Sequence, residues 1–79
     1  MLSKKNKIAI IGLGYVGLPL AIEFSKIYKT IGYDKNLKRV DELKKGFDST
    51  REFDEDQLKN SKLIYTGNKN DILKCNIYI

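Results

Sequence analysis

The sequence feature that most constrains the fold is a G-x-G-x-x-G pattern at Gly12–Gly17, placed between two segments of different periodicity. Before it, Lys7–Ile11 is a short apolar run rich in β-branched residues, which is typical of a strand covered on both faces. After it, apolar residues recur at the spacing of a helix that we expect to end near Tyr28. These residues are Val16, Leu20, Ala21, Phe24 and Ile27. The pattern therefore predicts a strand, a tight turn and a helix in succession.

The same alternation of strands and helices continues along the chain. We predict a strand at Thr30–Asp34, then a helix capped by Asn36 and ended by Gly46, and then a loop at Phe47–Phe53. A short helix follows at Asp54–Asn60, opened by a capping box with Gln57. The remaining predicted elements are a strand at Leu63–Thr66, a short helix at Asn70–Lys74 and a strand at Asn76–Ile79. In the longer of these helices, Leu37, Val40 and Leu43 form the predicted buried stripe.

This order of elements predicts an α/β fold, a Rossmann-type doubly wound parallel sheet in which the first strand lies beside the second. A complete dinucleotide-binding domain has two such halves, and 79 residues have room for little more than one. The last predicted strand also looks buried. We therefore expect residues 1–79 to be the N-terminal portion of a longer domain, with the rest of the protein absent.

Each residue of the glycine pattern has a physical task in such a fold. Gly12 permits the tight turn, Gly14 lets the backbone approach a pyrophosphate, and Gly17 lets the helix pack closely. The free N–H groups of Tyr15 and Val16, together with the positive end of the helix dipole, would face the phosphates. The pattern therefore predicts a dinucleotide site at this turn.

Asp34 lies 22 positions beyond Gly12, at the end of the second predicted strand. An acid at that separation can accept hydrogen bonds from the adenosine ribose hydroxyls and would repel a 2′-phosphate, which favours NAD over NADP. The basic residues Lys35 and Arg39 complicate this preference, because a base near the acid could accept a 2′-phosphate. Arg39 could reach the adenine end of the site, or it could be a solvated helix arginine.

The composition limits the other partners. The formal charge is +5, which indicates either attraction to a polyanion or a solvated lysine-rich surface. No basic stripe is interleaved with aromatic residues, so we expect no nucleic-acid partner. A single cysteine, Cys75, fits a reducing compartment, and the N-terminal apolar run is broken by glycines and a proline. We expect a cytoplasmic protein with no membrane span and no metal site.

The stretch Lys7–Ala21, with its Gly-Tyr-Val-Gly-Leu-Pro core, resembles the opening of the UDP-glucose/GDP-mannose dehydrogenase family. The resemblance is strongest to the branch that oxidises UDP-N-acetylhexosamines, and it covers the chain from Lys7 onward. The later stretches that carry it are Gly32–Asp34 with Arg39, Glu42–Gly46, Asp48–Glu52 and Cys75–Ile79.

The resemblance implies an enzyme that oxidises the C6 alcohol of a UDP-sugar to a carboxylate in two hydride transfers, with two NAD. It also implies a role in surface polysaccharide biosynthesis, such as capsule or O-antigen, and a homodimer as the full-length enzyme. By the same resemblance, the catalytic cysteine and lysine lie downstream, so we expect no catalytic residue in this segment. The residues that inherit cofactor-binding roles are Gly12, Gly14, Tyr15, Val16, Gly17, Asp34 and Arg39.

Other interpretations remain open at this point. An NAD-sensing regulatory module would bind the cofactor without catalysis, and an S-adenosylmethionine methyltransferase also uses a glycine-rich loop and a ribose-binding acid. Cys75 precedes a buried strand and has no histidine available, so we interpret it as structural. The polar run Asp48–Glu52 is either a contact to cofactor or substrate or a capped surface loop. Tyr15, at the mouth of the turn, is the tyrosine whose side chain most merits a test.

Overall fold

The computed structural model describes residues 5–79; residues 1–4, which belong to the predicted domain, lie outside that range. The strands are β1 (Lys7–Ile11), β2 (Lys29–Tyr33), β3 (Ile64–Thr66) and β4 (Ile77–Tyr78). The helices are α1 (Gly17–Ser25), α2 (Leu37–Lys44) and α3 (Glu55–Asn60), with a 3₁₀ helix at Lys69–Ile72. Each described element corresponds to a predicted one, with boundaries that differ by a few residues.

The four strands form one sheet in the order β3-β2-β1-β4, and every neighbouring pair is parallel. The register of β1 against β2 runs from Lys7 opposite Lys29 to Ile11 opposite Tyr33, which confirms the predicted neighbours. The order matches the first four positions of the doubly wound dinucleotide-binding sheet. In that sheet, ligands bind beyond the carboxyl ends of the strands, where the strand order reverses. Here the reversal lies between β1 and β4.

The three α-helices cover one face of the parallel sheet and the 3₁₀ helix lies against the other, which confirms the predicted α/β class. Because side chains alternate along a strand, Ile8 and Ile10 face one side and Ala9 faces the other. On the first side the core is completed by apolar residues of the three α-helices, principally Leu18, Ala21, Ile22, Leu43 and Leu58. On the second side Ala9 packs with Tyr33, Ile72 and Cys75.

The buried face of helix α1 is only partly the one that the apolar spacing indicates, since Ala21 is buried as expected. The expected residues Val16 and Ile27 are 81% and 60% exposed. The residues that α1 buries are Leu18, Ala21, Ile22 and Ser25. Gly17 fixes this rotation, because Gly17, Ala21 and Ser25 lie four residues apart and their small side chains permit a close approach. The helix also ends at Ser25, short of the expected Tyr28.

The other helices begin at the predicted caps. The Asn36 side chain accepts hydrogen bonds from the backbone N–H groups of Lys38 and Arg39, and Asp54 forms the predicted capping box with Gln57. The predicted stripe of α2 is partly wrong, because Leu37 is 63% exposed while Arg39 is buried. A buried arginine is stable only if its charge is paired, and the residues that pair with Arg39 belong to the site described next.

The last strand is less buried than the sequence indicates. It lies at the end of the described sheet, and Tyr78 and Ile79 are 52% and 46% exposed. Cys75, just before it, is buried as a core residue, and burial raises the pKa of its thiol. A thiol that stays protonated is a poor nucleophile, which agrees with the structural interpretation of Cys75.

Candidate functional site

The glycine turn begins where β1 ends. The N–H of Gly12 donates to the carbonyl of Tyr33 at the end of β2 (2.8 Å), so the turn is tied to the neighbouring strand. Gly12 has a φ of +93°, a backbone conformation that residues with a side chain rarely adopt. The chain therefore turns tightly at this residue, as the sequence predicts.

Leu13 anchors the turn through its side chain and both of its backbone polar groups. The side chain is fully buried and lies over Gly32, where an added Cβ would come within 2.7 Å of a Leu13 methyl group. The Leu13 N–H donates to Asp34 Oδ2 (2.9 Å), and its carbonyl accepts from Arg39 Nε (2.7 Å). Two predicted site residues, Asp34 and Arg39, thus meet on the same turn residue.

Gly17 is required by its packing against the turn. A Cβ added at Gly17 would collide with the carbonyl oxygen of Gly12, which belongs to the backbone and cannot swing away. The first turn of α1 therefore lies directly against the end of β1. The predicted close packing at this glycine is confirmed, with the turn backbone as its neighbour.

The opposite side of the turn faces open space. A Cβ added at Gly14 would meet nothing within 4 Å, and Tyr15 and Val16 are 68% and 81% exposed. No side chain caps the N-terminus of α1 within the described part of the chain. An uncapped helix start with exposed backbone N–H groups and no obstructing side chain suits an anionic group, since the helix dipole favours negative charge there.

Asp34 stands beside this open side, directly after β2. Its Oδ1 accepts from the N–H of Asn36 (2.9 Å), and Oδ2 accepts from Leu13 as described. Each carboxylate oxygen can accept about two hydrogen bonds, so each keeps room for a further donor. The half-buried carboxylate is therefore preorganised and can still accept from a pair of ribose hydroxyls.

Arg39 lies behind the turn and is 6% exposed, so the solvated interpretation of this residue is wrong. Besides its bond to Leu13, its Nη1 donates to Asp48 Oδ1 (2.7 Å) and to Glu42 Oε2 (3.1 Å). Its Nη2 is buried and has no hydrogen-bond partner within residues 5–79. The arrangement is a buried cation between two acids, with one edge on the glycine turn.

Sequence reasoning missed two residues that shape this site, Leu13 and Asp48. In the sequence, Leu13 looks like a position of the glycine pattern that any residue could occupy. An apolar residue there, together with Gly32 in the next strand, could have predicted that Leu13 is buried. Asp48 falls in a predicted loop, and nothing in the neighbouring sequence marks its side chain as buried. Only the fold brings it to Arg39, nine positions earlier in the chain.

Other kinds of site find little support within residues 5–79. No group of three or more histidine, cysteine, aspartate or glutamate side chains is arranged to hold a metal ion there. Within the same residues, none of the helices is long and apolar enough to cross a bilayer.

The parallel sheet, the tight glycine turn, the open helix start and the acid after β2 together define a dinucleotide-binding domain of the Rossmann class. The family model of the UDP-glucose/GDP-mannose dehydrogenase family, NAD binding domain, matches residues 6–77. The chain belongs to this family, and NAD is the cofactor of the domain. The open space at Gly14 and the spare acceptors of Asp34 fit that cofactor.

Three relatives show where in the family the similarity lies. The chain is 51% identical over 77 residues to UDP-N-acetyl-D-glucosamine 6-dehydrogenase of Pseudomonas aeruginosa, covering 96% of this chain and 18% of that protein. It is 50% identical to the enzyme of the same name from Salmonella typhi, covering 92% and 17%. It is 47% identical to Protein CapL of Staphylococcus aureus, covering 94% and 18%. The chain thus spans less than a fifth of the length of each of these relatives.

Proposed function

We propose that this chain is the cofactor-binding segment of a nucleotide-sugar 6-dehydrogenase. The full-length enzyme would oxidise the C6 alcohol of a UDP-N-acetylhexosamine to the uronic acid with two NAD, for surface polysaccharide biosynthesis. The observation that carries the proposal is the glycine turn, which is open at Gly14 and flanked by Asp34, the proposed ribose acceptor. The names of the relatives at about half identity support the choice of sugar.

Different proposed cofactor residues would bind different parts of NAD. The backbone N–H groups of Tyr15 and Val16 would hold the pyrophosphate, and Gly14 would let it approach. Asp34 would accept the adenosine ribose hydroxyls and disfavour a 2′-phosphate. Bound NAD supplies the hydride acceptor, and this segment binds and orients it.

Arg39 belongs to the same proposed site through the turn. Its Nη1 is paired with Asp48 and Glu42, and its Nε donates to the carbonyl of Leu13. Lys35 is exposed and follows Asp34 directly in the sequence, so it is the neighbouring base that would face a 2′-phosphate. A paired Arg39 therefore supports the proposed preference for NAD over NADP.

The assembly, compartment and substrate of the full-length enzyme are also part of the proposal. We infer a homodimeric, cytoplasmic protein that takes a UDP-sugar whose binding groups lie mostly outside this segment. The buried free thiol of Cys75 is compatible with a reducing compartment.

The test is an assay of the full-length protein with NAD and a UDP-sugar. We expect UDP-N-acetylglucosamine or a related UDP-N-acetylhexosamine to yield two NADH for each uronic acid formed, and UDP-glucose to react more slowly. The matched control is the same protein with NADP, which should react poorly. NAD binding without NADH formation from any UDP-sugar would indicate a regulatory module and contradict the proposal.

A further inference from the structure

The loop 47–53 folds around one carboxylate, that of Asp48, whose side chain is fully buried. Asp48 Oδ2 accepts from the backbone N–H groups of Glu52 (2.9 Å) and Phe53 (3.1 Å). Its Oδ1 accepts from the N–H of Thr50 (3.0 Å) and from the Thr50 hydroxyl (2.7 Å). With so many donors, the carboxylate has a single position and the loop closes around it.

The same carboxylate reaches the glycine turn through one intermediate residue. Asp48 Oδ1 accepts from Arg39 Nη1, and Arg39 Nε donates to the carbonyl of Leu13, both at 2.7 Å. The Leu13 carbonyl belongs to the peptide that leads into Gly14. A continuous chain of hydrogen bonds therefore runs from the loop to the peptide next to the proposed pyrophosphate position.

The charge of Asp48 determines where the guanidinium of Arg39 lies in this series of hydrogen bonds. A buried guanidinium is stable only with a carboxylate beside it, and removing one partner leaves an uncompensated charge. Burial raises the pKa of Asp48, but the hydrogen bonds from Thr50 and Arg39 outweigh it and hold the pKa below its ordinary value. Asp48 is therefore ionised at neutral pH, and it fixes where the guanidinium lies.

We propose that Asp48 is a positioning residue for NAD binding, which acts through Arg39 to hold the Leu13 carbonyl and so sets the geometry of the glycine turn. Because Asp48 has no exposed side-chain surface, its proposed role is exerted through Arg39 and not by contact with the cofactor. The inference rests on the proposed cofactor role of the turn. It assigns the loop 47–53 an effect on cofactor affinity from behind the site.

The test is a comparison of ligands in the full-length protein. The Asp48→Asn variant keeps the size of the side chain, and a misplaced turn should raise the Kd for NAD by about tenfold or more. The Kd for adenosine, which carries no phosphate to place on the turn, should stay within about twofold, whereas a general structural defect would weaken both ligands. Calorimetry measures both constants. Asp41→Asn, which removes an exposed acid from the same helix as Arg39, is the matched control and should change neither.

A double-mutant cycle tests whether Asp48 acts through Arg39. The Arg39→Gln/Asp48→Asn protein should bind NAD no more weakly than Arg39→Gln alone, because the second change has nothing left to position. Additive losses would overturn the proposal, and so would an unchanged NAD affinity in Asp48→Asn or equal losses for NAD and adenosine.

A milder variant covers the case in which Asp48→Asn does not fold. Arg39→Lys keeps a cation beside Asp48 but loses the planar guanidinium that donates to Asp48 and to the Leu13 carbonyl together, so it should raise the Kd for NAD about threefold or more with adenosine unchanged. No effect of Arg39→Lys on NAD would then overturn the proposal. If the unsubstituted protein binds no NAD, the proposed function itself fails. If it binds NAD and the variants bind NAD equally well, only the positioning role fails.

Discussion

The two sides of the glycine turn differ in almost every physical property. The front, Gly14–Val16, is exposed, uncapped and free of neighbouring side chains. The back is buried, and there the N–H, the carbonyl and the side chain of Leu13 all have fixed partners. The backbone is therefore held from behind while its N–H groups at the front stay available, which is the arrangement that the proposed cofactor site requires. Preorganised groups of this kind lose little entropy on binding.

The contrast also separates the three glycines of the pattern. Gly12 serves the backbone conformation and Gly17 serves packing at the back, whereas Gly14 has no structural task within the described fold. Substitutions at these positions should therefore affect stability and cofactor affinity in different proportions.

The largest effect is expected at the back, for Gly17→Ala. Its added methyl group would collide with backbone at Gly12, so the helix must move away from β1. We expect a loss of about 3 kcal/mol in the free energy of unfolding and no measurable NAD binding. Chemical denaturation of the full-length protein measures the first and calorimetry the second. A wild-type unfolding free energy would show that the close contact is not essential.

At the front, Gly14→Ala should do the opposite. The new Cβ has space in the free protein, so the unfolding free energy should stay the same or rise by up to about 1 kcal/mol. The methyl group would occupy the approach of the pyrophosphate, and the Kd for NAD should rise about a hundredfold. If Gly14→Ala destabilises the protein as much as Gly17→Ala, the division between front and back is wrong.

Asp34 lies beside the open front of the turn and also accepts from the Leu13 N–H at its back, so Asp34→Ala tests both sides. We expect NAD binding to weaken by about 1–3 kcal/mol, the usual cost of losing a charge-assisted partner. The preference for NAD over NADP should shrink in the same variant. Asp56→Ala, at an exposed position of α3, is the control with the same change of residue. Unchanged NAD affinity in Asp34→Ala would remove Asp34 from the site.

The strands, the tight turn and the helix caps could be predicted from the sequence because they depend on local chemistry. Gly12, the Asn36 cap and the Asp54 capping box each produce their structure from residues close in sequence. The back of the site could not be predicted in this way. Arg39 occupies what looks like a polar helix position, and its burial follows only when the fold brings Asp48 beside it.

The buried face of α1 differs from the apolar pattern for a related reason. Large apolar residues such as Val16 and Ile27 suggest the core side, but both lie outside α1 and are exposed. The side of α1 that faces the core carries Leu18 and Ile22 together with the small residues Ala21 and Ser25. A pattern of hydrophobicity alone does not report how close two elements approach.

The most direct test of the central claim is a crystal structure of the full-length protein with NAD bound. The account predicts that the pyrophosphate oxygens accept hydrogen bonds from the N–H groups of Tyr15 and Val16, with both adenosine ribose hydroxyls on Asp34. It also predicts that the bonds of Leu13 to Asp34 and Arg39 are the same with and without NAD. A pyrophosphate bound elsewhere, or a turn that rearranges to receive it, would contradict the account.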